Sequence, residues 1–262
     1  MYRTSYVSRM ASVNAQRWPD PTSTLPLLWR TKERPSRGSG LTIDAIVGAA
    51  VAIADADGLD AVTMRSVAER LGVGAMSLYT HVPGKGELHA LMLDHVFADA
   101  LDGLATQGTW RDRLGSIARL DRDRYLGHPW LLELPVARPA FGPNITAKYE
   151  RDLTALEGTG LTAAELNAAV MTLTSFVYGA ARFQSRARAD ERTGRTEAQF
   201  WQAHEPYLHL VLDIERFPNA RKVAEEAGRD AGADADHDFS FEFGLEQFLS
   251  GLEGLIDRRG TA

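Results

Sequence analysis

The 262-residue chain has no cysteine. That excludes disulfides, thiolate zinc sites and cysteine nucleophiles, and it fits a reducing compartment. Long apolar runs are also missing. The longest, Ala45 to Ala54, has ten residues and is rich in alanine, well short of the ~20 residues that span a bilayer. Arginines near the N-terminus have no apolar stretch behind them, so no signal peptide and a cytoplasmic location are expected. Strand-like alternation and internal repeats are absent from the pattern. No Ser-His-Asp or paired-carboxylate constellation can be picked out, so an enzyme is not expected. Around Gly84 and Gly86 the full Gly-x-x-x-x-Gly-Lys-Ser/Thr phosphate cradle is lacking. Of the histidines, His204 and His209 are five apart, off the i, i+4 spacing, His128 precedes a proline, and His237 lies in an acidic segment. No metal and no cofactor are expected.

Charge is present but unevenly placed. The formal net charge of −6 argues against nucleic acid when taken alone. Residues 1–40, however, hold seven Lys/Arg (Arg3, Arg9, Arg17, Arg30, Lys32, Arg34, Arg37) against Asp20 and Glu33, a net +5. Residues 41–90 carry −3 and the remainder −8. A basic arm on an acidic body is one form that nucleic-acid binders take, although short charged tails are commonly just solvated.

Residues 1–40 are rich in Pro, Ser, Thr and Arg and read as a flexible arm. Leu25, Leu27, Leu28 and Trp29 make one apolar patch in it that could dock. Beyond Gly40 the pattern is helical. Thr42 can cap a helix with Asp44 in its first turn and Ile43, Ile46, Val47, Ala50 and Ala54 on one face, ended by Gly58. Thr63 can cap a second helix that ends at Gly72. A fourth helix from about Gly84 places Leu88, Leu91, Met92, His95 and Val96 on one side. Further helices are expected over about 110–126, 144–156, 163–184, 197–214 and 239–257, the third opened by the Thr162/Glu165 capping box. Residues 221–238 read as an acidic loop. Arg111/Asp112 and Asp121/Arg122 read as solvated faces.

Between the second and fourth helices lies "LGVGAMSLYTHVPGK", residues 71–85. Two helices joined by a glycine turn, the second very short, match a helix-turn-helix. Leu78 and Val82 are four apart and can pack inward with Val67 and Leu71. Met76 and Thr80 then point nearly opposite, with Ser77 and Tyr79 on the flanks, a face free for a major groove. Hydroxyls there can bond base edges or phosphates, and Met76 and Tyr79 can lie against thymine methyls or sugars. His81, Lys85 and the amides at the start of the fourth helix suit phosphate, and Arg65 can reach the groove edge.

On these residues the chain resembles the TetR family of bacterial repressors. The segment "GLDAVTMRSVAERLGVGAMSLYTHVPGKGEL", with its Leu78-Tyr79-Thr80-His81 core and following Lys85, carries the resemblance. "GHPWLLEL", "GPNITAKYERDLTALEGTGLT" and "FEFGLEQFLSGLEGLI" are similar to the ligand-binding half of the TetR-like branch. The resemblance implies that Arg65, Ala75, Met76, Ser77, Tyr79, His81 and Lys85 sit at DNA-contacting positions. Ala75 and Met76 offer no hydrogen bond to a base, so the basic arm is expected to add phosphate affinity through Arg30, Lys32, Arg34 and Arg37.

The expected fold is all-α: a flexible basic arm (1–40), a helix-turn-helix domain (41–90) and a larger helical domain (91–257) for effector binding and dimerisation. The expected partners are a near-palindromic double-stranded operator, a small-molecule effector and a second copy of the chain. Trp130, Met171, Ser175, Tyr178, Phe183, Trp201 and His204 are candidates for the effector site. Phe241, Leu245, Phe248, Leu252 and Leu255 form a heptad-like seam, expected to pair with the capped helix or its successor in a dimeric four-helix bundle, with Gly244 and Gly251 allowing close approach. Two other classes stay open on residues alone: a small-molecule-binding helical enzyme, and a scaffold without DNA binding.

Overall fold

The computed structural model describes residues 20–31, 41–98, 108–134, 141–194, 197–211, 213–227 and 237–260. Among them are eleven α-helices and no strand. In chain order they are α1 (Pro21–Leu28), α2 (Ile43–Asp57), α3 (Met64–Leu71), α4 (Ala75–Tyr79), α5 (Lys85–Val96), α6 (Trp110–Gly127), α7 (Pro143–Thr154), α8 (Ala163–Arg192), α9 (Glu197–Val211), α10 (Pro218–Ala227) and α11 (His237–Gly260). The chain divides into two compact units, residues 1–103 with 133–151 and residues 104–132 with 152–262. The first boundary differs from the expected one near residue 90, because α5 stays with the helices it packs on and most of α7 joins it.

In the first unit the local signals act as their chemistry dictates. The Thr42 hydroxyl accepts from the Ala45 amide at 3.1 Å and starts α2, and Gly58, at φ 84°, ends it. The stripe Ile43, Ile46, Val47, Ala50 and Ala54 is buried throughout. Each large aliphatic side chain so buried contributes ~1.5–3 kcal/mol. α5 packs against both α1 and α2. Its Leu88, Leu91, Met92 and Val96 are buried as expected, but His95 is exposed, while His89 and Asp94 are inside.

Part of the expected arm is a helix. Asp20 accepts from the Thr22 amide at 2.9 Å, and Pro21 occupies the first turn, where its fixed φ suits a helix and its missing N–H costs nothing. Eight residues cannot hold a helix alone. Burial of Thr24 and Leu28 against α5 supplies what propensity does not.

In the second unit α6 packs against α8 and α11, and α8 against α11. α8 has 30 residues and opens on the expected capping box, Thr162 donating from its amide to Glu165 at 2.8 Å. Arg259 donates to the same carboxylate at 2.6 Å. The two together hold the Glu165 pKa down to about 2, the Thr162 amide being the larger cause. Residues 218–227, placed partly in the acidic loop by composition, are the helix α10. Asp121 and Arg122, read as a solvated pair, are buried on α6. α6 is also bound to α11 by ion pairs: Arg119 to Glu242 at 2.6 Å, Arg111 to Glu253 at 3.1 Å and to Glu246, and the buried Arg122 to Asp238.

Candidate nucleic-acid interface

Two caps and two glycines build the reading head. The Thr63 hydroxyl accepts from the Ser66 amide, and the Ser66 hydroxyl accepts from the Thr63 amide, both at 3.0 Å, which closes a capping box at the start of α3. Gly72 ends α3 in the left-handed region, φ 68°, where a side chain would be strained. Gly74 then leads into α4, which has only five residues. That helix is held by its anchors. Leu78 and Val82 are fully buried, and the Val82 amide donates to the Leu78 carbonyl at 2.8 Å.

The opposite face is open. Met76 is 77 % exposed and Tyr79 46 %. Ser77 and Thr80 are exposed, and Ala75 and His81 half-buried. Thr80 donates to the Ser77 carbonyl at 2.6 Å, so its hydroxyl retains lone pairs to accept with. Arg65 is exposed and donates to Glu69 at 2.7 Å. An exposed pair of this kind is worth ~0–1 kcal/mol, so a phosphate can displace Glu69 at small cost. Lys85 is exposed at the start of α5, whose N-terminus has no side-chain cap. The helix dipole and the lysine therefore favour an anion at the same end.

Arg30 does not fit the expected role. Its guanidinium donates to Asp44 and is only 31 % exposed, so it is tied within the unit and not offered outward. Lys32, Arg34 and Arg37 lie outside the described residues.

The candidate effector residues separate into two groups. Trp130 is fully buried, and Tyr178 donates to the Leu132 carbonyl at 2.7 Å and meets the Tyr125 ring edge-on at 5.7 Å. All three aromatic residues belong to the second unit. Met171, Ser175, Phe183 and His204 are instead exposed, Phe183 at 74 %. Ser175 donates back to the Met171 carbonyl, and the His204 ring is hydrogen-bonded to the Phe200 carbonyl. They do not converge with Trp130. The side chain of Trp201 lies outside the described residues.

The expected dimer seam is also redistributed. Phe241, Leu245 and Leu252 are buried within the chain's own core, with Phe176 stacked on Phe241 at 5.5 Å. Phe248 and Leu255 are half-buried. A seam satisfied internally is no surface for a second copy. Gly244 serves the same internal contact, since a Cβ there would sit 2.5 Å from the Phe176 ring. Gly251 faces open space. Phe239 and Phe243, 67 % and 58 % exposed, occupy the outer side of α11.

Comparison with known proteins decides the family. Residues 46–91 match the family model for bacterial regulatory proteins of the tetR family, and residues 103–256 match the tetracyclin repressor-like C-terminal domain. The chain belongs to the tetR family. An HTH-type transcriptional repressor, DrrR1 of Streptomyces coeruleorubidus, is 44 % identical over 93 % of this chain and 90 % of its own. Apo ActR from Streptomyces coelicolor superposes with a TM-score of 0.68 at 31 % identity, over 85 % of this chain and 99 % of ActR. ActR in complex with actinorhodin gives 0.67 at 30 %, over 83 % and 99 %.

Within this tetR-family chain the sequence reading missed a buried polar set in the second unit. Asp121, Arg124, Tyr125 and Asp152 are all buried, and Arg124 donates to Asp121 at 3.2 Å. Burial pushes the Tyr125 phenol pKa well up, and Asp121 pushes it further. Arg122 donates to Gln184 at 2.7 Å and to Asp238, with its guanidinium 4.4 Å from the Phe241 ring centre. Asp121, Arg122 and Arg124 sit in a run of alternating charges, which carries no periodicity to separate inside from outside. Among the described residues, no three His, Cys, Asp or Glu are grouped to hold a metal ion, and no helix is long and apolar enough to cross a membrane.

Proposed function

We propose that this chain is a cytoplasmic, ligand-responsive transcriptional repressor, not an enzyme, that binds a near-palindromic operator as a homodimer and leaves it when a small molecule binds the second unit. The observation that carries the reading is the short helix α4: it is anchored by the buried Leu78 and Val82 and turns Met76, Ser77, Tyr79 and Thr80 outward. In this role Tyr79 and Met76 give apolar contact to bases or sugars, and Ser77 and Thr80 hydrogen-bond. Arg65, His81 and Lys85 hold phosphate, and Ala75 permits close approach.

A second copy is supported by the outer faces of α8 and α11. Ala164, Ala168, Met171, Thr172 and Ser175 on α8 recur at helical spacing and are exposed, as are Phe239 and Phe243 on α11. Small residues beside large apolar ones suit a helix-on-helix interface. Two heads in successive major grooves then need half-sites about one turn, or a multiple, apart.

For the effector, the interior around Trp130, Tyr178 and Tyr125 offers aromatic walls and the Asp121/Arg124 pair nearby. ActR, a neighbour in fold and sequence, is known in complex with actinorhodin. By that likeness the effector is a small molecule of the actinorhodin kind. Release requires only that it prefer the state that fits DNA less well. The reading is tested by selecting bound DNA from a random pool and repeating the selection with actinorhodin and chemically unrelated compounds present. A palindromic consensus is expected; a pool with no enrichment, or enrichment that survives Tyr79→Ala with Lys85→Ala, rejects it.

A further inference from the structure

Helix α1 lies outside residues 46–91, the part matched by the DNA-binding family model. It is nevertheless fastened to the rest of its unit at both ends. At its start Ser23 donates to Glu87 at 3.0 Å, in the first turn of α5 next to Lys85. Past its end, the Trp29 indole N–H donates to the Phe141 carbonyl at 2.9 Å. The same turn is held from α5. Asp94 is buried, and its carboxylate accepts from the amides of Asn144 and Ile145 at 3.1 and 3.0 Å and from the Asn144 side chain at 3.0 Å. Asp94 thus caps the first turn of α7 from a different helix. Gly142 is required for this, since a Cβ there would overlap the Asp94 carboxylate.

This grip is costly where it is made. Among the described residues, two that are not glycine have positive φ, Arg30 at 53° and Phe141 at 50°. One follows Trp29 and the other carries the carbonyl that Trp29 bonds. Arg30 also keeps a guanidinium nitrogen, Nη1, buried with no partner. Non-glycine residues in the left-handed region and an unsatisfied buried donor each cost free energy. They persist only where surrounding contacts hold them, and such sites tend to be switches. The helix being gripped is the one that leaves the unit: α7 runs on from residue 151 into the second unit.

We propose that α1 is a regulatory clamp: Trp29 and Asp94 together fix the turn 141–145 at the start of α7, and closure of this clamp and occupation of α4 by DNA favour one another. Both are positioning residues. α5 is the rod between them, carrying Lys85 at one end and Asp94 about two and a half turns later. If the two ends are coupled, the coupling is reciprocal: DNA at one end must tighten the other.

Amide hydrogen exchange of the full chain, alone and with the DNA it selects from a random pool, reads this without an effector. Bound DNA is expected to slow exchange at Asn144 and Ile145 at least tenfold. In Trp29→Phe, which removes the indole donor and leaves a smaller aromatic ring, that DNA-linked slowing shrinks to under threefold, and the Kd for DNA rises. Gly142→Ala has the same effect by wedging Asp94 away. A brace with a merely structural role would lower the Tm in these variants while leaving the DNA-linked slowing intact, and that result overturns the proposal. So does unchanged exchange at Asn144 and Ile145 in the parent chain when DNA is bound. Failure to select any DNA would instead reject the repressor reading.

Discussion

The bundle of residues 41–97 and the helix α6 bury their interiors by opposite means. In the bundle, Ile46, Val47, Val67, Leu78, Val82, Leu88 and Met92 fill the core, and His89 and Asp94 are the only titratable groups inside. On α6, Asp121, Arg122 and Arg124 are buried beside Leu114, Ile117 and Ala118. An apolar core is indifferent to small changes of orientation but rigid in packing, which suits a head that must hold one short helix at a fixed angle. A charged interior pays desolvation and tolerates no missing partner. The difference gives the bundle rigid apolar packing and gives α6 buried, directional polar groups.

That contrast can be broken from either side. The largest effect is expected from Asp121→Ala, which leaves Arg124 buried without this partner and costs ~3–5 kcal/mol in urea denaturation. Replacing both, Asp121→Leu with Arg124→Met, should cost clearly less than the single change. If the double variant is the worse one, the pair is not what holds α6 inside. Next comes Leu78→Ala in the apolar bundle, at ~2–5 kcal/mol, with loss of DNA binding because α4 loses its anchor.

His89 gives a smaller effect with a defined pH window. Burial first, and the Lys85 charge second, lower its pKa from the ordinary 6.5 to about 4. Above pH 6.5 it is neutral in both states and contributes no pH dependence. As pH falls from 6.5 towards 4, the unfolded chain takes up a proton that the folded chain refuses, so stability falls. His89→Leu should remove a loss on the order of 1–3 kcal/mol across that window. Parallel stability curves for the two proteins from pH 7 to 4 would show that His89 is not the group responsible. The smallest effect on stability belongs to Lys85→Ala, within about 0.5 kcal/mol. It should nonetheless weaken binding to all DNA sequences alike and lower the salt slope by about one unit.

Much of the bundle was legible because its signals are local. A hydroxyl at Thr42 or Thr63 caps whatever helix follows, Gly72 ends one, and the spacing of Leu78 and Val82 chooses the inner face of α4 without help from the rest of the chain. Other assignments needed the partner surface. The seam Phe241, Leu245 and Leu252 has the period of an interface, yet period says only that a stripe is covered. Phe176 on α8 covers it from within, while Phe239 and Phe243 of the same helix are exposed. Asp121 and Arg122 look like solvent-facing charges because composition cannot show a partner 62 residues away such as Gln184.

The sequence by itself determined the helical class, the helix-turn-helix and its outward face, since these follow from caps, breakers and a period of 3.6. Tertiary structure decided the rest. It made a helix of Pro21–Leu28, turned Arg30 inward to Asp44, and set Asp94 on the first turn of α7. Each depends on a contact with a distant segment, and pairing energies between distant residues leave no trace in local order.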